Sequence, residues 1–330
     1  MKIAILGAGA WGSALALSLS TRHQISLWTK DSDHAIEMQR EQVNRRFLPG
    51  FVLPQSIQIT SILSEVLDTA DLVLIVVPIV GFRATLRIVL ENKPKLPILW
   101  GCKGFELETC QLPHQIVEQE YAGRLPLCGV LSGPSFAEEV ARGLPTALTL
   151  ASTEVGFSQV IASELHHSRL RIYTSNDVIG VETGGAIKNV ITIAAGISDG
   201  IGFGHNARAA LITRGLMEIT RLGVGLGGNM KTFMGLAGLG DLILTCTGDL
   251  SRNRQVGLML AAGKTLNDIL IELGHVAEGV YTAKSALELG VRLHVDMPIT
   301  RAVCGILNQE VSAREAVEVL LNREQRSEIY

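Results

Sequence analysis

The sequence predicts a two-part α/β protein, a doubly wound parallel sheet followed by an all-α domain, on three observations. Through residues 1–180, short and almost wholly apolar runs alternate with helix-patterned segments. Runs such as LVLIVV at 72–77 lack the in–out alternation of a half-exposed strand, so they suit a sheet covered on both faces. From Val181 onward strand-like runs nearly vanish, and long Ala/Leu/Glu/Arg-rich patterns punctuated by Gly or Pro take over. At 330 residues the chain has room for about two domains of ordinary size.

Taken in order, the expected strands are 3–6, 25–28, 57–60, 72–77, 98–100, 127–131, 146–150 and 170–173. Between them, 33–46 and 82–90 mix apolar and charged positions at helical spacing, and this alternation implies parallel pairing. In the second half 190–197, 209–222, 253–262, 266–273, 283–289 and 313–320 read as helices. The boundary is set at Gly180: 1–180 the α/β domain, 181–330 the helical domain. The C-terminal NREQRSEIY is charged and expected to fray.

Composition narrows the function classes. Hydrophobic residues make up 47% and charged residues 18%, which excludes a disordered chain. A net charge of −3 gives no excess of positive charge for nucleic acid or an anionic membrane. Five cysteines, odd in number, widely spaced and without CxxC, indicate neither a disulfide framework nor a thiolate zinc site, and they fit a reducing cytoplasm. The early uncharged stretch 3–21 is broken by Gly7, Gly9 and Gly12, so neither a signal peptide nor a membrane span is expected.

Those three glycines stand in GxGxxG spacing between a strand and a helix. The first permits the tight turn, the second lets backbone approach a pyrophosphate, and the third allows close helix–strand packing. The helix start offers free N–H groups to the anion, which makes this a Rossmann-type dinucleotide site. Trp11, inside the loop, lies against the cofactor or packs on the next strand. The second strand ends Trp28-Thr29-Lys30-Asp31. Lys30 could face a 2′-phosphate, while Asp31 sits one residue beyond the ideal place for a ribose-binding carboxylate; a solvated pair in a turn is the alternative.

Ligands of a doubly wound sheet sit beyond the carboxyl ends of its strands, where WGCKGFE and GVLSGPSFAEE place Lys103, Ser132, Gly133 and Ser135. Lys103 is an awkward charge there unless an anion meets it. Ser135, three residues before Glu138, also reads as a capping box. The most informative stretch is VETGGAIKNVITIAAG, which sets Lys188 in a helix otherwise small or apolar from Gly184 to Gly196. A lysine is almost never buried without a partner, and desolvation would lower its pKa into the range of a general acid/base. A ketone reduced by hydride needs such a proton donor. Asn189 is the expected orienting partner. Asp241, after a glycine-rich turn, is a semi-buried carboxylate able to pair with a lysine. Ser251, Arg252, Asn253 and Arg254 open a helix as a phosphate or carboxylate site. His166, His167, His205 and His275 show no metal spacing, and no metal is expected.

Taken together, GAGAWGSALA, GCKGFE, LSGPSFAEEV, GGAIKNV, ALITRGLMEI, GLAGLGDLILTCT and SRNR resemble the bacterial NAD(P)-dependent glycerol-3-phosphate dehydrogenases, from Lys2 to about Ala316. The resemblance implies interconversion of dihydroxyacetone phosphate and sn-glycerol 3-phosphate, which feeds phospholipid synthesis. It implies Lys188 as general acid/base and Lys103 in contact with both substrate and nicotinamide cofactor. Gly133, Ser135, Asp241, Ser251, Arg252 and Asn253 match substrate contacts, and Trp11, Lys30, Ala137, Arg252, Val276 and Glu278 match positions near the cofactor. Ala10 stands where the family often has serine, a difference of at most one hydrogen bond. The family often has His or Arg near Lys30, a departure that bears on the choice between the two cofactors; the resemblance implies NADP or NAD, with NADPH slightly favoured. Apolar helices of the second domain suit a homodimer. The competing readings are a two-domain dehydrogenase of hydroxy or sugar acids, and a dinucleotide sensor that would need neither Lys188 nor Asp241.

Overall fold

The computed structural model describes residues 1–274 and 277–322. Two expectations, the cofactor contact at Val276 and the fraying of 323–330, lie outside those residues, as does His275.

Ten strands form among the described residues: β1 Lys2–Leu6, β2 Gln24–Trp28, β3 Val43–Asn44, β4 Leu48–Val52, β5 Gln58–Thr60, β6 Leu72–Ile75, β7 Ile98–Trp100, β8 Cys128–Ser132, β9 Thr146–Ala151 and β10 Leu170–Ser175. Eight make one sheet in the order β10-β9-β8-β7-β6-β1-β2-β5. Successive strand side chains point to opposite faces. On β1, Ile3 and Ile5 enter one core cluster, while Ala4 and Leu6 enter the cluster on the other face. On β6, Leu72 and Leu74 separate from Val73 and Ile75 in the same way. That double burial is why these strands read as continuous apolar runs. From β5 through β8 the neighbours pair in parallel, and the order reverses beside β1, which makes a crevice at the carboxyl ends of β1 and β6.

Two sequence expectations are corrected. β8 and β9 pair antiparallel, so the sheet is not parallel throughout, although β9 and β10 pair in parallel again. The helix read over 33–46 stops at Glu41, Gln42 takes a left-handed conformation (φ 53°), and the chain turns into the antiparallel pair β3–β4. A buried side chain drives this turn. Asn44 donates from Nδ2 to the Ala8 carbonyl (2.9 Å) and to Ser13 Oγ (2.8 Å), and its Oδ1 accepts from the Phe47 amide (3.1 Å).

All ten strands precede residue 176, and helices fill the remainder of the described chain. The helix Val178–Ile201 is its axis. It has the length and hydropathy of a membrane span, yet the surrounding helices bury most of it. It packs against Gly204–Gly225, Asp241–Thr247, Arg252–Ala261 and Glu278–Arg292. The crossing with Arg252–Ala261 is glycine on glycine: a Cβ on Gly196 would lie 2.1 Å from the Arg254 carbonyl oxygen, and one on Gly257 would lie 2.1 Å from that of Ile193.

Candidate active site

The loop after β1 has the stereochemistry its glycines suggest. Gly7 adopts φ 121°, and a Cβ there would press on the Val76 backbone at 3.0 Å. A Cβ on Gly12 would meet the Gly7 carbonyl oxygen at 1.9 Å, whereas one on Gly9 would meet nothing within 4 Å. The open side at Gly9 is where a ligand can approach. Gly9 N-caps the helix Ala10–Leu19, which has no side-chain cap and no acidic residue in its first turn. Its amide donors and positive end are therefore available, and the loop fits a dinucleotide pyrophosphate. Half-buried Trp11 packs against the small cluster of Ala14, Leu48 and Val140, and so does Ala137. The Trp11 indole nitrogen borders Gly101 at the end of β7. Lys30 is exposed beyond β2, with no hydrogen-bond or ion-pair partner among the described residues. Asp31 is turned back to the protein: its carboxylate accepts from the His34 amide (3.0 Å) and pairs with Arg46 (2.7 Å).

Lys188 sits in the middle of the central helix and is 6% exposed. Its ammonium donates to Asp241 Oδ1 and to Thr245 Oγ1 (2.9 Å), while Lys103 Nζ donates to Asp241 Oδ2 at 2.6 Å. Two lysines therefore share one buried carboxylate. Burial drives the Lys188 pKa down to about 8; Asp241 opposes that shift and Lys103 adds to it. Burial alone would raise the Asp241 pKa, but Lys103 and Lys188 together hold it below the usual carboxylate value. Asp241 begins the helix Asp241–Thr247 directly after a π-helical turn, Leu236–Gly240. Such turns occur often at functional sites.

Asn189 is not the expected orienting partner of Lys188, because consecutive helix positions diverge by about 100°. That role falls to Thr245, one turn beyond Asp241. An Asp/Thr pair at i, i+4 shares a helix face, and this spacing in DLILT was the available signal.

The central helix is itself tied to the sheet domain. Glu182 accepts from the Trp100 indole (2.7 Å), the His114 amide (3.0 Å) and His114 Nδ1 (2.5 Å). Burial would lower the His114 pKa, but Glu182 reverses the effect and raises it.

At the other side of Lys188, Ser251 N-caps Arg252–Ala261 by accepting from the Arg254 amide. Buried Asn253 accepts from the Gly279 amide at 3.1 Å. Arg252 is exposed and has no hydrogen-bond or ion-pair partner among the described residues. Arg254 is a correction: its guanidinium is occupied by Asp199 (2.8 and 3.0 Å) and Asp249 (2.8 Å), so it braces the fold. Glu278 starts the helix Glu278–Arg292; burial raises its pKa, and Arg252, Lys103 and Lys188 pull it back. Gly133 follows β8 with φ 136°, and Ser135 donates to its carbonyl (3.1 Å). The capping box read at Ser135 does not form, since the short helix Ala137–Ala141 is capped at Phe136 without a side-chain bond. Among the described residues no His/Cys/Asp/Glu group could hold a metal.

Residues 2–158 match the N-terminal family model, and residues 177–318 the C-terminal family model, of NAD-dependent glycerol-3-phosphate dehydrogenase. The chain is 60% identical to glycerol-3-phosphate dehydrogenase [NAD(P)+] of Nitrosospira multiformis, covering 100% of both chains. It is 60% identical to the enzyme of that name in Nitrosomonas eutropha, covering 99% of each. The crystal structure of glycerol-3-phosphate dehydrogenase from Coxiella burnetii superposes with a TM-score of 0.93 at 44% identity, covering 97% of this chain and 98% of that one. The chain therefore belongs to the NAD-dependent glycerol-3-phosphate dehydrogenase family and is an NAD(P)-linked oxidoreductase.

Proposed function

We propose that the protein reduces dihydroxyacetone phosphate to sn-glycerol 3-phosphate for glycerophospholipid synthesis, with Lys188 as general acid/base. The observation that carries this reading is the buried Lys188, held by Asp241 and Thr245 with a pKa near 8. The nicotinamide, when bound, supplies or accepts the hydride at the substrate's C2. Everything else falls to the chain.

Near neutral pH Lys188 is mostly an ammonium, able to donate a proton to the oxygen that becomes negative as the ketone is reduced. In the reverse direction its neutral amine takes the hydroxyl proton. Asp241 fixes the amine's position and favours its charged form, and Lys103 adds a second positive charge beside the reacting oxygen. Arg252, with its fork unspent, and the helix start at Ser251 and Asn253 take the substrate phosphate. Gly133 and Ser135 complete the substrate pocket. Gly7, Gly9 and Gly12 hold the pyrophosphate; Trp11, Lys30, Lys103, Ala137, Arg252 and Glu278 line the rest of the cofactor site.

In this reading residues 1–180 bind the cofactor, and residues 181–330 supply the lysine and the substrate site. The enzyme works in the cytoplasm as a homodimer, with a weak preference for NADPH. Absorbance of NADPH and of NADH, followed separately on adding dihydroxyacetone phosphate beside unphosphorylated dihydroxyacetone, tests the reaction. Oxidation with the phosphate ester alone is expected. Equal rates with both ketones would remove the phosphate role of Arg252, and no oxidation at all would remove the substrate assignment.

A further inference from the structure

We propose that Arg46, together with Lys30, forms a site for a phosphate on the 2′-oxygen of the cofactor's adenosine ribose and sets the preference for NADPH. The inference rests on the dinucleotide reading of the glycine loop and assigns the part of that site beyond β2.

At the end of β2 a free carboxylate would accept from the ribose hydroxyls and favour the unphosphorylated cofactor. Asp31 stands one residue beyond that place, and its carboxylate is already engaged: one oxygen accepts from the His34 amide (3.0 Å), capping the helix Ser32–Glu41, and the other accepts from Arg46 Nη1 (2.7 Å). Arg46 also donates from Nε to Glu37 at 3.2 Å. Among the described residues its Nη2 has no hydrogen-bond partner, and the residue is not buried. Lys30, next to Asp31, has no partner among the described residues.

The position of Arg46 is fixed by the same turn that ended the helix at Glu41. Asn44, two residues earlier, is 0% exposed and bonded to Ala8 and Ser13, both belonging to the glycine loop and its helix. The β3–β4 segment is thus locked to the pyrophosphate loop, which places a guanidinium at a set distance from it. An occupied carboxylate, a guanidinium edge with two free donors and a free ammonium favour an anion over a hydroxyl.

Titration calorimetry of the full-length protein with adenosine 2′,5′-bisphosphate and with adenosine 5′-monophosphate tests this without turnover. The parent should bind the bisphosphate more tightly. Arg46→Gln should lower the ratio of the two affinities roughly 10-fold or more, the usual worth of a charge-assisted hydrogen bond. Arg46→Lys should recover part of it, and Asp31→Asn, which frees Nη1, should raise the ratio. A ratio unchanged in Arg46→Gln, equal loss of both affinities, or a parent that prefers the monophosphate would overturn the assignment. A parent that binds neither nucleotide would instead overturn the dinucleotide reading beneath it, before any substitution is made.

Discussion

Replacing Lys188 by Met separates the catalytic demand on this residue from its effect on folding. Met has a similar reach, no charge and the adaptability to fill the same space among Thr245, Asp241 and the central helix. In the folded protein Lys188 titrates near 8, against 10.5 when free. At about 1.4 kcal/mol per pH unit, holding its ammonium inside costs about 3 kcal/mol. Because the folded pKa is the lower one, this penalty is complete below pH 8 and fades as pH rises from about 8 to 10.5. Met removes the penalty but leaves Asp241 with only Lys103, so the net gain at pH 7 lies between roughly zero and 3 kcal/mol. The variant should melt at or up to several degrees above the parent at pH 7, with the gap narrowing by pH 10. Reduction of dihydroxyacetone phosphate should fall about a thousandfold, within the span usual for general acid–base groups. Calorimetric melts at several pH values and steady-state rates read both outcomes. Turnover within tenfold of the parent would refute the proton-transfer role. A variant that melts well below the parent with a pH-independent gap would refute the electrostatic reasoning.

Asp241→Asn leaves Lys188 facing Lys103 without a compensating anion, so its pKa drops further. The alkaline fall in the reduction rate should then move down by about one pH unit or more, and an unmoved profile would count against the shared carboxylate. The His114–Glu182 pair stabilises the fold fully below the free histidine value of 6.5 and loses that contribution as pH climbs through the raised folded pKa. The melting-temperature difference between parent and His114→Gln should accordingly be larger at pH 6 than at pH 9; a constant difference argues that the ring only packs. Gly257→Ala puts a Cβ 2.1 Å from the Ile193 carbonyl oxygen, and pushing the two helices apart should cost about 2 kcal/mol or more, seen as a lower melting temperature. An unchanged melt would mean the helices slide apart freely.

The sheet was legible because its strands are buried on both faces, which writes continuous apolar runs into the chain. The direction of pairing between β8 and β9 was not. It depends on how far the chain travels around the short helix Ala137–Ala141, and no residue pattern encodes that distance. The β3–β4 turn was missed for a related reason. Local spacing through Arg46 is helical, and what overrides it is Asn44 bonding to Ala8 and Ser13, more than thirty residues away in sequence. Arg254 was misread likewise. Its position at a helix start suggests an anion, and the anion is Asp199, fifty-five residues earlier. Lys188 stood out because a lone charge in a small, apolar helix conflicts with its surroundings, and such conflicts mark functional sites.

Why Lys188 meets these particular partners follows from the two residues one turn before it. A Cβ on Gly185 would lie 3.0 Å from Ser132 Oγ and 3.5 Å from Lys103 Cγ, so glycine there lets the ends of β7 and β8 close onto the central helix. A Cβ on Gly184 would lie 2.6 Å from the Ala237 carbonyl oxygen, in the π-helical turn that delivers Asp241. Positions three and four residues apart lie on one helix face. The GGAIK spacing therefore places Lys188 beside both approaches, one bringing Lys103 and the other bringing Asp241. The close packing that buries the lysine and lowers its pKa is the same packing that supplies its counter-charge. A helix with larger residues at 184 and 185 would hold both partners away, and Lys188 would lose the carboxylate that keeps a buried ammonium available near neutral pH.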